Sequence, residues 1–354
     1  MSKEILRAED LDGFLNESDK LVLEDMHSLF DQALKSCKIL DGNPNEGTVL
    51  KEKQKLINLY NEMGQKMQNI LKEFPRIHVY SFETPSQVHG EASRLIAKLR
   101  NTRTDHQEFV YYIQRAYELL FNLAFGGAVK ENKNHLIVKT PVNVPTQNFA
   151  VHKIPDIDNL IENSVMCVML RGALLPSMIM SKEIQEYSST GYVTPFALFK
   201  IKRNDEKKAS NMEYILDLDK SYFDLDQLNG KDLIFADPMN ATGGSFVTIV
   251  TYLEQNNIKP KSIKFFNVIS ALKGALNVVR ALDSVEMYTL WMDPVLNDLA
   301  YIMPGLGDAG DRLNGVDAED YPRNILQLIA DYGTNIVDLY RWQVRKIEET
   351  ILGV

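Results

Sequence analysis

The chain has 354 residues, 45% hydrophobic and 25% charged, with a net charge of −9. That length allows one long domain or two, and the balance is that of a globular protein with a sizeable core. The acidic surplus argues against nucleic acid as a partner, because phosphate backbones demand a basic face.

Residues 1–75 read as helical. Leu21, Met26, Leu29, Phe30, Ala33, Leu34 and Cys37 recur at helical spacing. Asp41-Gly42-Asn43-Pro44-Asn45 breaks the pattern. Leu56, Leu59, Tyr60, Met63, Met67, Ile70 and Leu71 then mark a second helix that stops before Pro75. The pair predicts an αα-hairpin, either a packing addition or an oligomer contact. Helices are expected over Ser86–Leu99 and His106–Phe125, the second ending at Gly126-Gly127. Leu136–Val144 and Asn148–His152 alternate around Pro145 and predict a protruding β-hairpin arm.

From Val165 onward, strand and helix patterns alternate. The strands expected are Val165–Leu170, Thr194–Ile201, Asp232–Asp237, Ser262–Ile269 and Glu286–Trp291. Helical segments between them predict crossovers and a parallel α/β sheet. Asp205–Asp219 is polar with weak periodicity and reads as a mobile loop over a site. Near the C-terminus, Asn324–Ile351 has apolar faces suited to assembly or to packing on the rest of the chain.

Two segments carry chemistry. Asp237–Ser245, DPMNATGGS, follows the apolar run Leu233–Ala236 and precedes a helical pattern from Phe246. Small residues and a hydroxyl at a strand–helix turn let a ligand approach the backbone, and N–H groups at a helix start favour a phosphate. Asp237, at the strand end, is placed to accept hydrogen bonds from sugar hydroxyls. A sugar phosphate site is one reading; a plain βα turn is the other. The segment has neither the lysine of a P-loop nor the dinucleotide G-x-G-x-x-G spacing. The second segment is Tyr301–Gly315, YIMPGLGDAGDRLNG, with four glycines, one proline and two aspartates. It cannot form a long regular helix or strand. It is either a surface turn cluster or a dense array of backbone N–H and C=O groups suited to the edge of a planar base.

In order and spacing, these segments resemble the signatures of uracil phosphoribosyltransferases, DPMLATGGS and Y-I-x-P-G-L-G-D-A-G-D-R-x-F-G. The resemblance extends over roughly residues 78–315. Val168-Met169-Leu170-Arg171-Gly172-Ala173 is similar to the family's P-I-L-R-A-G turn. Lys202-Arg203-Asn204-Asp205-Glu206 is similar to its Y-R-N-E-E segment, and Leu99-Arg100 with Thr102–Phe109 to an early helix start. The resemblance implies an α/β fold of the type I phosphoribosyltransferase kind, a parallel sheet with a β-hairpin arm. The catalytic domain would span 76–315, between helical extensions over 1–75 and 316–354.

The resemblance also implies roles. The reaction would join uracil to PRPP (phosphoribosyl pyrophosphate), giving UMP and pyrophosphate. The catalytic set would be Asp237, Asp308, Arg171 and Arg203. Asp237 would hold ribose hydroxyls, with Pro238, Met239 and Asn240 beside it. Ala241, Thr242, Gly243, Gly244 and Ser245 would cradle the 5-phosphate. Arg171 and Arg203 would hold pyrophosphate. Ile302, Gly307, Asp308 and Ala309 would read uracil, with Asp308 also facing PRPP. Mg²⁺ would travel mainly on PRPP; the family's loop has no second acidic residue after Asp237, and Pro238 stands there, so no protein metal ligand is expected. Many members are oligomers and some respond to GTP, so a homo-oligomer is expected and GTP is a candidate effector. A different base, or a nucleotide-sensing role without catalysis, stays open on fold alone.

Four departures stand out. Gly172-Ala173 reverses the family's Ala-Gly, which predicts a methyl beside the pyrophosphate turn. Asn240 replaces Leu, Asn314 replaces an aromatic, and Lys207 stands where Thr is common. Cys37 and Cys167 make neither a disulfide framework nor a zinc site, and Cys167 lies in an apolar run. The N-terminus is too polar and acidic for a signal or transit peptide, and no apolar run approaches spanning length. The expected compartment is the cytosol, with no membrane partner.

Overall fold

The chain opens on an edge strand, β1 (Lys3–Arg7), where a helix was expected. The computed structural model describes residues 2–83, 86–126, 133–142, 149–204 and 206–315. A short α1 (Ala8–Asp12) leads to the long α2 (Glu17–Asp41) and α3 (Glu46–Leu71). Asn16 and Asp19 form a reciprocal capping box at the start of α2. Asn45 caps α3 by accepting from the Thr48 N–H. The two helices make the expected hairpin. Met26, Phe30 and Ala33 of α2 and Met63 and Met67 of α3 are buried in the same core as one face of the sheet. The hairpin therefore packs on its own chain.

Next come β2 (Ile77–Val79), α4 (Tyr80–Glu83), α5 (Ser86–Arg100) and α6 (His106–Phe125). β3 (Lys133–Lys139) and β4 (Phe149–Pro155) pair antiparallel as a separate ribbon, the expected arm. Residues 143–148, which include Pro145, lie outside the described residues. After α7 (Asp158–Ile161) the chain runs β5 (Ser164–Leu170), α8 (Leu174–Tyr187), β6 (Phe196–Arg203), β7 (Glu213–Tyr222), β8 (Asp232–Ala236) and β9 (Met239–Asn240). It continues through α9 (Gly244–Gln255), β10 (Ser262–Ala271), α10 (Leu272–Ala281) and β11 (Val285–Asp293). The described residues close with β12 (Val295–Leu296), β13 (Ile302–Met303) and α11 (Ala309–Asn314). The expected extension 316–354, with Asn324–Ile351, lies outside the described residues.

The main sheet runs β1-β7-β6-β5-β8-β10-β11-β2, with β9 also paired to β10. The strands from β6 to β2 are parallel, while β7 and β1 add antiparallel at one edge. This is a mixed α/β fold around a mostly parallel sheet. α6 and α8 cover one face, with Phe121, Ile179 and Met180 against Met166, Ile234 and Phe266. α9, α10 and the N-terminal helices cover the other.

The polar segment expected as a loop runs into β7, which takes up its last part from Glu213 to Asp219. Its Tyr214 and Leu216 are buried and alternate with the more accessible Glu213, Ile215 and Asp217. An antiparallel strand with one wet face carries polar residues at every second position, which hides it from a composition reading. In the centre, β5 lies between β6 and β8. The chain thus departs to one side of β5 and returns on the other, a switch point that opens a crevice beyond the carboxyl ends of the strands. Among the described residues, no helix is long and apolar enough to cross a membrane.

Candidate active site

A cleft of about 470 Å³ lies at that switch point. Arg171, Arg203, each residue from Asp237 to Ser245, Ile302, Gly307, Asp308 and Ala309 all line it. Arg171 follows β5, Arg203 ends β6, and Asp237 follows β8.

The glycines of the Asp237 loop are required by packing. Gly243 has φ +80, and a Cβ there would lie 2.8 Å from Val278 Cγ2. A Cβ on Gly244 would lie 2.2 Å from the Tyr214 ring. Gly243 and Gly244 open α9, whose N-terminal residues line the cleft. The partial positive charge of a helix start suits an anion. The loop is held from behind by amides. Asn277 Nδ2 donates to the Thr242 carbonyl at 2.9 Å, and Asn267 Nδ2 to the Asp237 carbonyl at 3.0 Å. Asn240, one of the departures, is buried and donates to Ser270 Oγ at 2.9 Å.

Asp237 is half-buried, and its Oδ1 accepts from the Met239 N–H at 3.0 Å. Burial pushes its carboxyl up to about 6, while the Met239 N–H and the Arg203 charge pull the other way and Asp308 adds to the rise. Arg171 donates through Nη1 to the Gly315 carbonyl and through Nη2 to Asp311 Oδ1 at 2.5 Å. Arg203 donates to the Ala300 carbonyl at 3.4 Å and lies over the Tyr301 ring at 5.3 Å. Both arginines are therefore tied to the segment that roofs the cleft.

That roof is built on the antiparallel pair β12–β13. Asn297 Oδ1 accepts from the N–H groups of Leu299 and Tyr301 and shapes the turn between them. Gly305 has φ +63, and a Cβ on it would lie 2.3 Å from the Ile302 carbonyl oxygen. Its N–H donates to Asp293 Oδ2 at 2.9 Å. Asp293 is buried beside Arg100, and burial raises its carboxyl despite that guanidinium. On the other side, Arg312 Nη1 donates to the carbonyls of Leu306 and Leu99, with its guanidinium 3.8 Å from the Phe109 ring centre. Asp308 Oδ1 caps α11 by accepting from the Asp311 N–H at 2.9 Å.

Ala173, whose methyl was expected beside the pyrophosphate turn, is not among the residues that line the cleft. Ala173 is buried under the start of α8, and Gly172 is the residue that lines the cleft. The reversed pair thus keeps a glycine at the opening, 3.6 Å in Cβ terms from Gly310 Cα. Lys207 pairs with Glu213 at 2.7 Å, and Asn314 donates to the Gly310 carbonyl at 3.1 Å. Sequence reasoning missed Tyr214, Asn277, Gly274, Asp293 and Arg312 as supports. The alternation of Tyr214 and Leu216 was a signal for the first, and the matched signature marked Arg312 without giving its role; Asn277, Gly274 and Asp293 carry none.

The family model for uracil phosphoribosyltransferase matches residues 86–315. The chain belongs to the uracil phosphoribosyltransferase family. It is 30% identical over 227 residues to the uracil phosphoribosyltransferase of Dictyoglomus thermophilum, covering 64% of this chain and 96% of that one. To the enzyme of that name from Lactococcus lactis subsp. lactis it is 39% identical over 111 residues, 31% of this chain and 50% of the relative. In that comparison the chain spans about half the length of the curated relative it matches. Among solved structures, a protein of Aquifex aeolicus aligns with TM-score 0.46 and 24% identity, over 64% of this chain and 96% of that one. The family match does not reach β1 or the helical hairpin.

Proposed function

We propose that this family member transfers the phosphoribosyl group of PRPP to uracil, giving UMP and pyrophosphate. The observation that carries the reading is the roof of the cleft. Tyr301–Gly315 keeps every defined position of the family signature except Asn314, and it faces the DPMNATGGS loop across one cleft.

In this reading Asp237 holds the ribose hydroxyls, and Ala241 to Ser245 with the start of α9 hold the 5-phosphate. Arg171 and Arg203 bind the pyrophosphate and stabilise the charge that grows as it leaves. Ile302, Gly307, Asp308 and Ala309 present backbone groups to the uracil edge. Polar backbone edges discriminate strongly, because a mismatched base leaves buried groups unpaired. The C1–O bond to pyrophosphate breaks, the C1–N1 bond to uracil forms, and the N1 proton is released to solvent. The transition state is oxocarbenium-like, and the chain's task is alignment and charge stabilisation rather than covalent attack. Among the described residues, no group of three or more His, Cys, Asp or Glu side chains is arranged to hold a metal. Mg²⁺ would arrive on PRPP and keep most of its own waters.

The test is a coupled assay of the purified chain with uracil, PRPP and Mg²⁺, following UMP and pyrophosphate together. Equal appearance of both is expected. Binding of uracil or UMP without turnover would replace catalysis by sensing, and turnover of another base in preference would change the substrate.

A further inference from the structure

The Asp237 loop leans on a residue outside the motif. Tyr214 is 1% exposed, and its hydroxyl donates to Thr242 Oγ1 at 2.5 Å. The Gly244 N–H donates to the same oxygen at 3.3 Å. A hydroxyl has two lone pairs and one hydrogen. With both lone pairs engaged, Thr242 has only its hydrogen left to offer. Thr242 lines the cleft, so that hydrogen is directed to serve an acceptor there, and an anion is the strongest acceptor. The Tyr214 ring also occupies the space above Gly244 that any side chain would need. One residue therefore sets the donor sense of Thr242 and fixes the backbone that opens α9.

The N-terminal segment holds Tyr214 in turn. Leu6 of β1 pairs with Tyr214 of β7 in register, and the Ala8 N–H donates to the Met212 carbonyl at 2.9 Å. Without β1, β7 would be an open edge. Asp12 accepts from Lys273 Nζ at 2.7 Å, in the first turn of α10. The next residue, Gly274, packs under the loop, where a Cβ would lie 2.5 Å from the Ala241 carbonyl oxygen. The segment Lys3–Asp12 thus ties together both walls that flank the loop, β7 and α10. It lies outside the 86–315 region of the family match.

We propose that Tyr214 is a positioning residue for the 5-phosphate subsite, and that Lys3–Asp12 is the brace that keeps it there. The proposal rests on the reading of the cleft as a PRPP site.

The test uses the full chain and two separate probes, ribose 5-phosphate and inorganic pyrophosphate, each titrated by calorimetry. Tyr214→Phe keeps the ring over Gly244 and removes only the hydroxyl, so folding is retained. It should weaken ribose 5-phosphate binding about tenfold, the scale of one hydrogen bond. Pyrophosphate binding should hold, and KM for PRPP should rise while KM for uracil does not. Asp12→Ala should shift ribose 5-phosphate in the same direction by about two- to threefold, since a partly exposed ion pair contributes less. In a Thr242→Val background, Tyr214→Phe should add nothing, because the relay is already broken. Unchanged ribose 5-phosphate affinity in Tyr214→Phe, with the parent protein binding it, would overturn this proposal alone. A parent protein that binds neither ribose 5-phosphate nor PRPP would overturn the reading of the cleft.

Discussion

Arg171 donates to Asp311 Oδ1 at 2.5 Å, joining the turn after β5 to the helix that follows the roof loop. Its second terminal nitrogen donates to the Gly315 carbonyl in the same region. In the proposed reading, the arginine that faces pyrophosphate also steadies the segment that faces the base. Arg171→Lys keeps the charge but loses the planar fork. Losing one charge-assisted hydrogen bond costs about 1.5–3 kcal/mol, so kcat/KM for PRPP should fall roughly ten- to hundredfold. KM for uracil should rise as well, by a smaller factor. Steady-state kinetics with each substrate varied in turn would separate the two effects. A change in the PRPP parameters alone would mean that the tie to Asp311 does not steady the loop.

Asp237 gives a pH signature. Its carboxyl is pushed up to about 6 by burial, and ribose hydroxyls bond best to the ionised form. kcat/KM for PRPP should therefore climb as pH rises through about 6 and level off above it. Asp237→Asn should lose that limb and sit on a lower plateau. Stability runs the opposite way. The folded value lies above the ordinary value of 3.8, so the folded state binds the proton more tightly. The stabilising contribution is full below pH 3.8 and is lost as pH rises through about 6. Asp237→Asn should thus melt higher than the parent near neutral pH, with the gap closing in acid. A parent profile flat across this range would contradict the assignment.

The central sheet and both loops were legible because their signals are local. Val165–Leu170 and Asp232–Asp237 are built on short apolar runs that lead into glycine-containing turns, and the structure places strands there, β5 one residue longer and β8 one residue shorter. β1 and β7 were not legible, since Lys3–Arg7 and Glu213–Tyr222 have one wet face and mix charges with apolar residues. The supports of the site were hidden for a different reason. Asn277 touches Thr242 across 35 positions, and Arg312 reaches Leu99 across 213. Such contacts are set by topology and leave no pattern in a single sequence. Motif matching placed Ala173 at the turn but could not say which of the pair opens to the cleft; Ala173 is buried at the N-cap of α8, and Gly172 is the one that lines the cleft.

The roof loop distinguishes strain from obstruction. Gly307 has φ +76, and a Cβ there meets only Arg312 Cδ at 3.8 Å. Gly307→Val should leave the fold in place but force a β-branched residue into a conformation it resists, reshaping the surface that faces the base. Uracil binding should be nearly abolished, with PRPP binding partly kept. Gly305→Ala should act on folding first, because its Cβ would lie 2.3 Å from the Ile302 carbonyl oxygen. Melting curves beside uracil titrations would sort the two. Full uracil affinity in Gly307→Val would remove this loop from base recognition.

Asp293 should prove to be the anchor of that loop. It is 1% exposed, accepts from Arg100 on Oδ1, and accepts from the Gly305 N–H on Oδ2 at 2.9 Å. Both oxygens are acceptors facing donors. In Asp293→Asn, one of them becomes an NH₂ group that meets either a guanidinium or a backbone N–H. Arg100 Nε is buried and without a hydrogen-bond partner among the described residues, so Asp293 supplies the partner of its guanidinium on this side. Breaking one side of a buried ion pair typically costs about 3–5 kcal/mol. The melting temperature should therefore fall by several degrees, and KM for uracil should rise more than KM for PRPP. Asp293→Ala should destabilise at least as strongly, because it leaves the guanidinium with no counter-charge on that side. A variant that loses stability while both KM values stay unchanged would show that the pair holds the fold and not the base loop.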